Sequence, residues 1–99
     1  MASIEYGKIK IEMTQDEIWL VLCSLIHTVA GEHIIKNHWR MHGVQAWKEN
    51  ENRRIQLART VALAIANERY LDSRLAEAEK EIEKAHSEWS ASQKMQRAT

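Results

Sequence analysis

Residues that break helices are nearly absent from this chain. Its 99 residues include no proline and only three glycines, Gly7, Gly31 and Gly43. A sandwich or barrel of many strands needs a turn about every 8–12 residues, and glycine and proline make most such turns. Hydrophobic residues account for 44% of the chain, which is too many for a disordered protein. The sequence therefore predicts a compact, mainly α-helical protein, and its length predicts a single domain over residues 1–99.

One short segment has the pattern of a β-strand. Residues 8–13 read KIKIEM, so that Ile9, Ile11 and Met13 alternate with charged residues. An alternation with a period of two predicts a strand with one apolar and one charged face. An extension of this strand back to Ile4 is left open. No second strand is recognised in the sequence, and we therefore expect a lone strand near the N-terminus.

A helix start follows this strand directly. Thr14 and Glu17 have the spacing of a capping box, in which each side chain accepts a hydrogen bond from the backbone N–H of the other residue. The segment after Glu17 is apolar on most sides, which is typical of a central helix. We expect one helix over about residues 15–42, bent at Gly31, because no polar turn cluster surrounds that glycine. Gly43 is the better helix stop, since it can take the left-handed conformation after a helix C-terminus.

The second half of the chain predicts one long helix. Residues 43–50 are predicted to form a loop, with a turn of helix over residues 44–48 left open as the alternative. Residues 51–88 contain neither glycine nor proline. Apolar and small residues recur there at alternating spacings of three and four from Val61 to Trp89, as a heptad-like seam. Residues 90–99 are small and polar, and we expect them to fray. The predicted fold class is mainly α: a short N-terminal β-strand followed by a long antiparallel helical hairpin, completed by oligomerisation.

Two features of this plan indicate a second copy of the chain. A lone strand leaves its backbone N–H and C=O groups unpaired. The last helix, at about 57 Å, also exceeds the first, at about 42 Å, and its overhang still carries apolar residues. We therefore predict a homo-oligomer, with a two-fold dimer as the default and a higher ring left open. Its interface is predicted to include Ile9, Ile11, Met13, Leu71, Leu75, Ala78, Ile82 and Trp89.

The net charge of zero hides an uneven distribution. Residues 1–32 carry a net charge of −3, residues 33–59 one of +4 and residues 60–99 one of −1. The basic middle third also holds two tryptophans and three histidines, and basic groups among aromatic rings can bind phosphates and stack on bases. The candidate residues for a ligand or partner are Lys36, Trp39, Arg40, Trp47, Arg53, Arg54 and Arg59. The alternative is structural, with the two tryptophans packed inside the protein and Arg53 and Arg54 paired with nearby glutamates.

Other kinds of site have little support in the sequence. His38 and His42 share one helical face, which is half of a zinc site, but the run HWRMH lacks the glutamate of the HExxH signature and a third ligand. A helix-turn-helix over residues 32–42 is disfavoured by the long helix after it and by the zero net charge. The sequence contains neither a glycine-rich phosphate loop nor a nucleophile elbow. We therefore expect no catalytic residue, no metal and no cofactor.

These observations favour a function in binding. We predict a small non-enzymatic interaction protein, an adaptor or inhibitor such as a phage-type accessory protein, that binds another macromolecule as a helical homo-oligomer. The alternative is a protein that binds or sequesters a nucleotide or nucleic acid through the basic and aromatic middle third. The single cysteine, Cys23, lies in an apolar run and indicates a reducing compartment. No signal peptide or membrane span is recognised, so we expect a cytoplasmic location and no membrane partner.

Overall fold

The computed structural model describes residues 2–98 of the chain and the side chains of residues 2–96. These residues form a small antiparallel sheet followed by helices, which confirms the mainly helical fold class. The strands are β1, Ala2–Tyr6, and β2, Ile9–Met13. The helices are α1, Gln15–Ala30; α2, residues 32–42; α3, Val44–Ala64; and α4, Glu68–Ala98.

The strand predicted over residues 8–13 has a partner within the chain. β1 and β2 pair in antiparallel register, with Tyr6 opposite Ile9 at the turn. Gly7 leads this turn with a φ of 62°, as expected for the glycine of a type II′ turn. The prediction of a lone strand is therefore wrong, because the turn at Gly7, which divides the N-terminal segment into two strands, was not recognised. Because β2 is paired with β1, an unpartnered strand no longer supports a second copy of the chain.

The start of α1 is the predicted capping box. The Thr14 N–H donates to Glu17 Oε1 over 2.9 Å, and the Glu17 N–H donates to Thr14 Oγ1 over 3.2 Å. The bond from the Thr14 backbone, with a smaller contribution from its side chain, favours the charged carboxylate and lowers the pKa of Glu17. One face of α1 is then buried and supplies much of the core: Ile18, Leu22, Ile26, Val29 and Ala30.

The predicted bent helix over residues 15–42 is two helices. α1 ends at Ala30, and Gly31 is extended, with a φ of −63° and a ψ of 144°. A Cβ atom at Gly31 would lie 2.4 Å from the carbonyl oxygen of His27. Only glycine fits such a close approach. The helix ends here instead of bending, because the extended ψ of Gly31 is outside the helical range.

α2 has an irregular backbone. A π-helical turn, Ile35–Trp39, lies between two single α-helical turns. The wider turn brings the side chains of Ile35 and Trp39 into the core, where they are 1% and 5% exposed. A regular 3.6-residue period read from the sequence does not reveal such a turn.

One stretch of the described residues has the length and composition of a membrane-crossing segment. Within Gln15–His42, the most apolar 18-residue window has a mean hydropathy of 1.6, and 39% of that window is buried inside the protein. Core helices of soluble proteins have the same composition, so length and hydropathy do not by themselves place this stretch in a membrane.

The predicted loop over residues 43–50 is helical. Gly43 has a φ of 88°, and α3 begins at the next residue. Trp47, in the first turns of α3, is 1% exposed. Burial of this large ring stabilises a helix where the polar neighbours of Trp47 suggested a loop.

The predicted long helix over residues 51–88 is broken near its middle. α3 ends in a Schellman motif, in which the Asn67 N–H donates to the Ala62 carbonyl over 2.9 Å and the Ala66 N–H donates to the Leu63 carbonyl over 3.1 Å. Ala66 occupies the left-handed position of the motif with a φ of 52°. The residue types around this break do not indicate it, because alanine is a helix former and stands where a glycine is usual.

α4 extends further than the sequence indicates. Fraying is expected over residues 90–99, but α4 continues to Ala98, and Thr99 lies outside the described residues. With 31 residues, α4 is about 46 Å long. The described part of the chain measures 61 Å along its longest axis, and α4 accounts for most of that length.

The core lies where α1, α3 and α4 meet, with β1 packed on α3. Leu71, Ala78 and Ile82 of α4 are each 2% exposed or less. They were predicted to lie at an oligomer interface, but they pack inside their own chain. The prediction of an uncovered overhang is therefore wrong for these residues, since α1, α2 and α3 all pack against α4.

Replacing Ala66 by glycine is expected to stabilise the protein by about 1 kcal/mol, because glycine adopts a left-handed φ without the clash of a Cβ atom. The matched control Ala76→Gly, at an exposed position within α4, is expected to destabilise it by about 1 kcal/mol. Urea unfolding of both variants and the parent measures the two effects. Destabilisation by both substitutions would indicate a continuous helix through residue 66.

Candidate functional site

A groove of about 740 Å³ lies between α2 and α4, and we call it the α2–α4 groove. It contains Lys36 and Arg40, which the sequence indicated as ligand or partner residues, and Trp89, which it indicated at an oligomer interface. The apolar lining residues are Ile35, Ala85 and Trp89. The polar lining residues are Glu32, Lys36, Arg40, Glu81, Lys84, Glu88, Ser92 and Gln93.

His86 of α4 fixes one end of this groove. Its Nδ1–H donates to the carbonyl oxygen of Arg40 at the C-terminal end of α2, over 2.9 Å. Its ring also stacks on Trp89, with centroids 5.9 Å apart and an interplanar angle of 19°. An added Cβ at Gly43 would lie 3.4 Å from the His86 ring, so the backbone after α2 passes close to α4. His86 therefore sets the position of Arg40 relative to Trp89.

Opposite charges balance in the α2–α4 groove. Three Lys or Arg side chains and three Glu side chains line it. Lys36 Nζ donates to Glu32 Oε1 one helical turn away, and this hydrogen bond, with the attraction between the charges, lowers the pKa of Glu32 and raises that of Lys36. Since the lining has no net charge, it suits a ligand with charges of both signs better than a polyanion.

The two tryptophans of the basic middle third are in the core. Trp47 is 1% exposed, and its Nε1–H donates to the Val29 carbonyl oxygen over 2.9 Å. Trp39 is 5% exposed, and its Nε1 has no hydrogen-bond partner among the described residues. The role of base-stacking residue that the sequence suggested for Trp39 and Trp47 is therefore wrong, because buried rings present no free face to a ligand.

The three arginines of α3 do not gather at the groove. Arg54 Nη1 donates to both carboxylate oxygens of the buried Glu51, at 3.0 and 2.9 Å. Arg59 Nη1 donates to Asp72 of α4 over 2.9 Å. Arg53 is exposed on α3. Of the seven residues predicted for a ligand or partner, the structure thus brings only Lys36 and Arg40 together in one cavity.

A second cavity, of about 320 Å³, lies under the β-hairpin, and we call it the hairpin groove. Its lining is almost wholly apolar and comes from both strands, α1 and α3: Ile4, Tyr6, Ile9, Ile11, Met13, Val21, Leu25, Leu57 and Val61. Ile9 is 62% exposed and Ile11 is 46% exposed. The strand residues predicted for an oligomer interface are therefore at the surface, unlike the buried Leu71, Ala78 and Ile82.

Groups of potential metal ligands do not assemble in the described part of the chain. The rings of His38 and His42 have centroids 4.9 Å apart, but no cluster of three His, Cys, Asp or Glu side chains suited to a metal occurs among the residues searched. Cys23 is a free, half-buried thiol on α1.

Comparison with known proteins adds nothing to this geometry. No protein-family model matches the chain, and neither a curated protein nor a solved structure matches it. Conclusions on function therefore rest on the two grooves.

Sequence reasoning missed the α4 side of the α2–α4 groove. Glu81, Lys84 and Glu88 were not among the candidate site residues that the sequence indicated. A signal was present, because residues 81, 85, 88 and 92 are spaced by four, three and four and so form one stripe beside Trp89. What the sequence could not show is that α2 lies opposite this stripe.

Replacing Trp47 by phenylalanine is expected to destabilise the protein by about 1–3 kcal/mol more than Trp39→Phe does. Both changes remove similar ring volume from the core, but only the first leaves the buried Val29 carbonyl without its indole donor. Urea unfolding followed by circular dichroism measures the difference. Equal losses of stability would show that the Trp47–Val29 hydrogen bond contributes little.

Proposed function

We propose that the protein is a small non-enzymatic interaction protein that acts as a homo-oligomer and binds a segment of another protein in the α2–α4 groove. The observation that carries this proposal is the lining of that groove. A partly exposed tryptophan lies among three positive and three negative side chains, at a cavity large enough for several side chains of a partner. Tryptophan and arginine are the residue types most often found at the energetic centre of protein interfaces.

The balanced charges favour a protein partner over a nucleic acid. Arg40 and Lys84 attract carboxylates, whereas Glu81 and Glu88 attract basic side chains and repel phosphates. A segment with both acidic and basic residues satisfies this lining. A nucleotide or nucleic acid would need to bind a groove with as many acidic as basic side chains. It would also lack Trp39 and Trp47 as stacking surfaces. This second function therefore has the weaker support.

The hairpin groove supports the homo-oligomeric part of the proposal. Its lining is apolar and partly open to solvent at Tyr6, Ile9 and Ile11. Contiguous exposed apolar surface on a small protein is typical of a contact site. We further propose a cytoplasmic location, supported by a lone, half-buried thiol that has no disulfide partner in the sequence.

Filling the α2–α4 groove is expected to abolish partner binding. Ser92→Trp places an indole in the groove, whereas Ala91→Trp places the same ring at an exposed position outside its lining. Each variant and the parent are immobilised and exposed to a nuclease-treated extract of the organism that expresses the protein. Mass spectrometry identifies the retained proteins, and calorimetry with the purified partner then measures affinity.

The proposal expects the same partner on the parent and on Ala91→Trp, and at least about a tenfold loss of affinity for Ser92→Trp. Unchanged affinity of Ser92→Trp would exclude the α2–α4 groove as the binding site. A partner retained only when nuclease is omitted would favour the nucleic-acid alternative.

A further inference from the structure

We infer that the second copy of the chain docks on the outer edge of β2, so that two hairpins form one four-stranded antiparallel sheet centred on Ile11. The inference rests on the homo-oligomeric part of the proposed function and specifies its interface. It follows from three properties of β2. Its edge is accessible, two of its residues direct backbone groups outward, and its charges favour one register in which the apolar faces of both copies lie on the same side of the sheet.

The edge of β2 is the accessible edge of the sheet. β1 packs on α3, and its residues Ala2–Ile4 are buried or half-buried. β2 lies on the outer side, and its first four residues are all exposed. A strand edge open to solvent carries unpaired N–H and C=O groups that another strand can bind.

The backbone of β2 presents two residues to such a strand. Tyr6 and Ile9 flank a two-residue turn and so form a hydrogen-bonded pair. Hydrogen-bonded and non-hydrogen-bonded pairs alternate along the ladder, so Ile9, Ile11 and Met13 direct their backbone groups toward β1. The N–H and C=O groups that point to the outer edge are therefore those of Lys10 and Glu12.

The side chains of β2 select the register of a self-pairing. Residues directly opposite each other in an antiparallel pair lie on the same face of the sheet. The apolar faces of two copies therefore match only if the two-fold axis passes midway between the two copies of one residue, which is called here an axis through that residue. An axis through Lys10 places Lys10 opposite itself, and an axis through Glu12 places Glu12 opposite itself. Both arrangements oppose like charges. An axis at Ile9 or Met13, the two ends of β2, would leave only that one residue of β2 opposite the other β2.

An axis through Ile11 avoids this repulsion. Lys10 of each copy then lies opposite Glu12 of the other, as a hydrogen-bonded pair that also joins opposite charges. On the other face, Ile11 meets Ile11 of the second copy, and Ile9 of the second copy lies opposite Met13. These apolar residues line the hairpin groove, so the second copy covers side chains that are exposed in one copy. Charged residues on an edge strand usually prevent its pairing with another strand. In this register Lys10 and Glu12 attract each other across the interface, so no like charges are opposed.

Disulfide trapping tests this register. In a Cys23→Ser background, Ile11→Cys places two thiols in a non-hydrogen-bonded pair, where Cα atoms about 4.5 Å apart permit a disulfide. Ile9→Cys is the matched control, since residue 9 lies on the same face and is more exposed. In the proposed sheet, the two copies of residue 9 are about 14 Å apart. We expect a covalent dimer with Ile11→Cys and little with Ile9→Cys under mild oxidation.

Charge reversal provides an independent test. Lys10→Glu and Glu12→Lys each create two like-charge pairs across the interface, so each is expected to weaken dimerisation at least about fivefold in analytical ultracentrifugation. The double variant restores both attractive pairs and is expected to recover the parent dissociation constant. Within the hairpin, position 10 pairs with Glu5, so the double variant still opposes two acidic side chains there. Lys10 and Glu12 of one chain also form an ion pair over 3.8 Å, which the double variant restores with exchanged charges. Urea unfolding of each variant as a monomer therefore serves as the control, and recovery of dimerisation beyond any recovery of monomer stability supports the sheet.

The outcomes separate the inference from the function on which it rests. A parent protein that is a monomer of 11.5 kDa at about 100 micromolar overturns both the homo-oligomer and this sheet. If the parent is a dimer, two results overturn the sheet alone. In the first, Ile9→Cys cross-links as readily as Ile11→Cys. In the second, the double charge-reversal variant dimerises as weakly as the single variants.

Discussion

The buried face of α1 is the constraint on which the rest of the structure depends. Ile18 and Leu22 have no exposed surface, and full burial of a side chain of this size contributes about 1.5–3 kcal/mol. α3 and α4 pack against this helix, and β1 in turn packs on α3. α1 is apolar on most sides, but only one of its faces is buried, and Trp19 and Leu20 on the other side are 37% and 66% exposed. The apolar composition of this helix contributes to the stretch that has the hydropathy of a membrane span. The capping box at Thr14 fixes where this central helix begins.

The sequence predicted the features that depend on residues close together in the chain. The alternation of Ile9 and Ile11 predicted β2, and Thr14 with Glu17 predicted the first turn of α1. Both depend on residues a few positions apart, so their signals are complete within a short window. Gly43 was likewise identified as a helix stop, and its φ of 88° is outside the helical range.

The features that the sequence did not predict depend on distant contacts. Trp47 is in a helix because its ring is buried and its indole N–H binds the Val29 carbonyl, 18 residues earlier. Ala66 ends α3 although alanine favours helices, and the π turn of α2 places Trp39 in the core. The basic and aromatic segment therefore does not form a single site, because its tryptophans are in the core and two of its arginines form ion pairs. Only the packing of α2 against α4 brings Arg40 beside Trp89.

The two grooves lie toward opposite ends of α3. Gly43, just before α3, is next to His86 and the α2–α4 groove, whereas Val61, near the end of α3, lines the hairpin groove. The helical residues between these positions separate them by about 27 Å. A dimer formed through β2 would therefore leave both α2–α4 grooves open and carry two equivalent binding sites. Two linked sites bind a repeated or oligomeric partner more tightly than one site does, since the second contact forms within the complex. The proposed sheet thus supplies a physical reason for a protein of this size to act as a homo-oligomer.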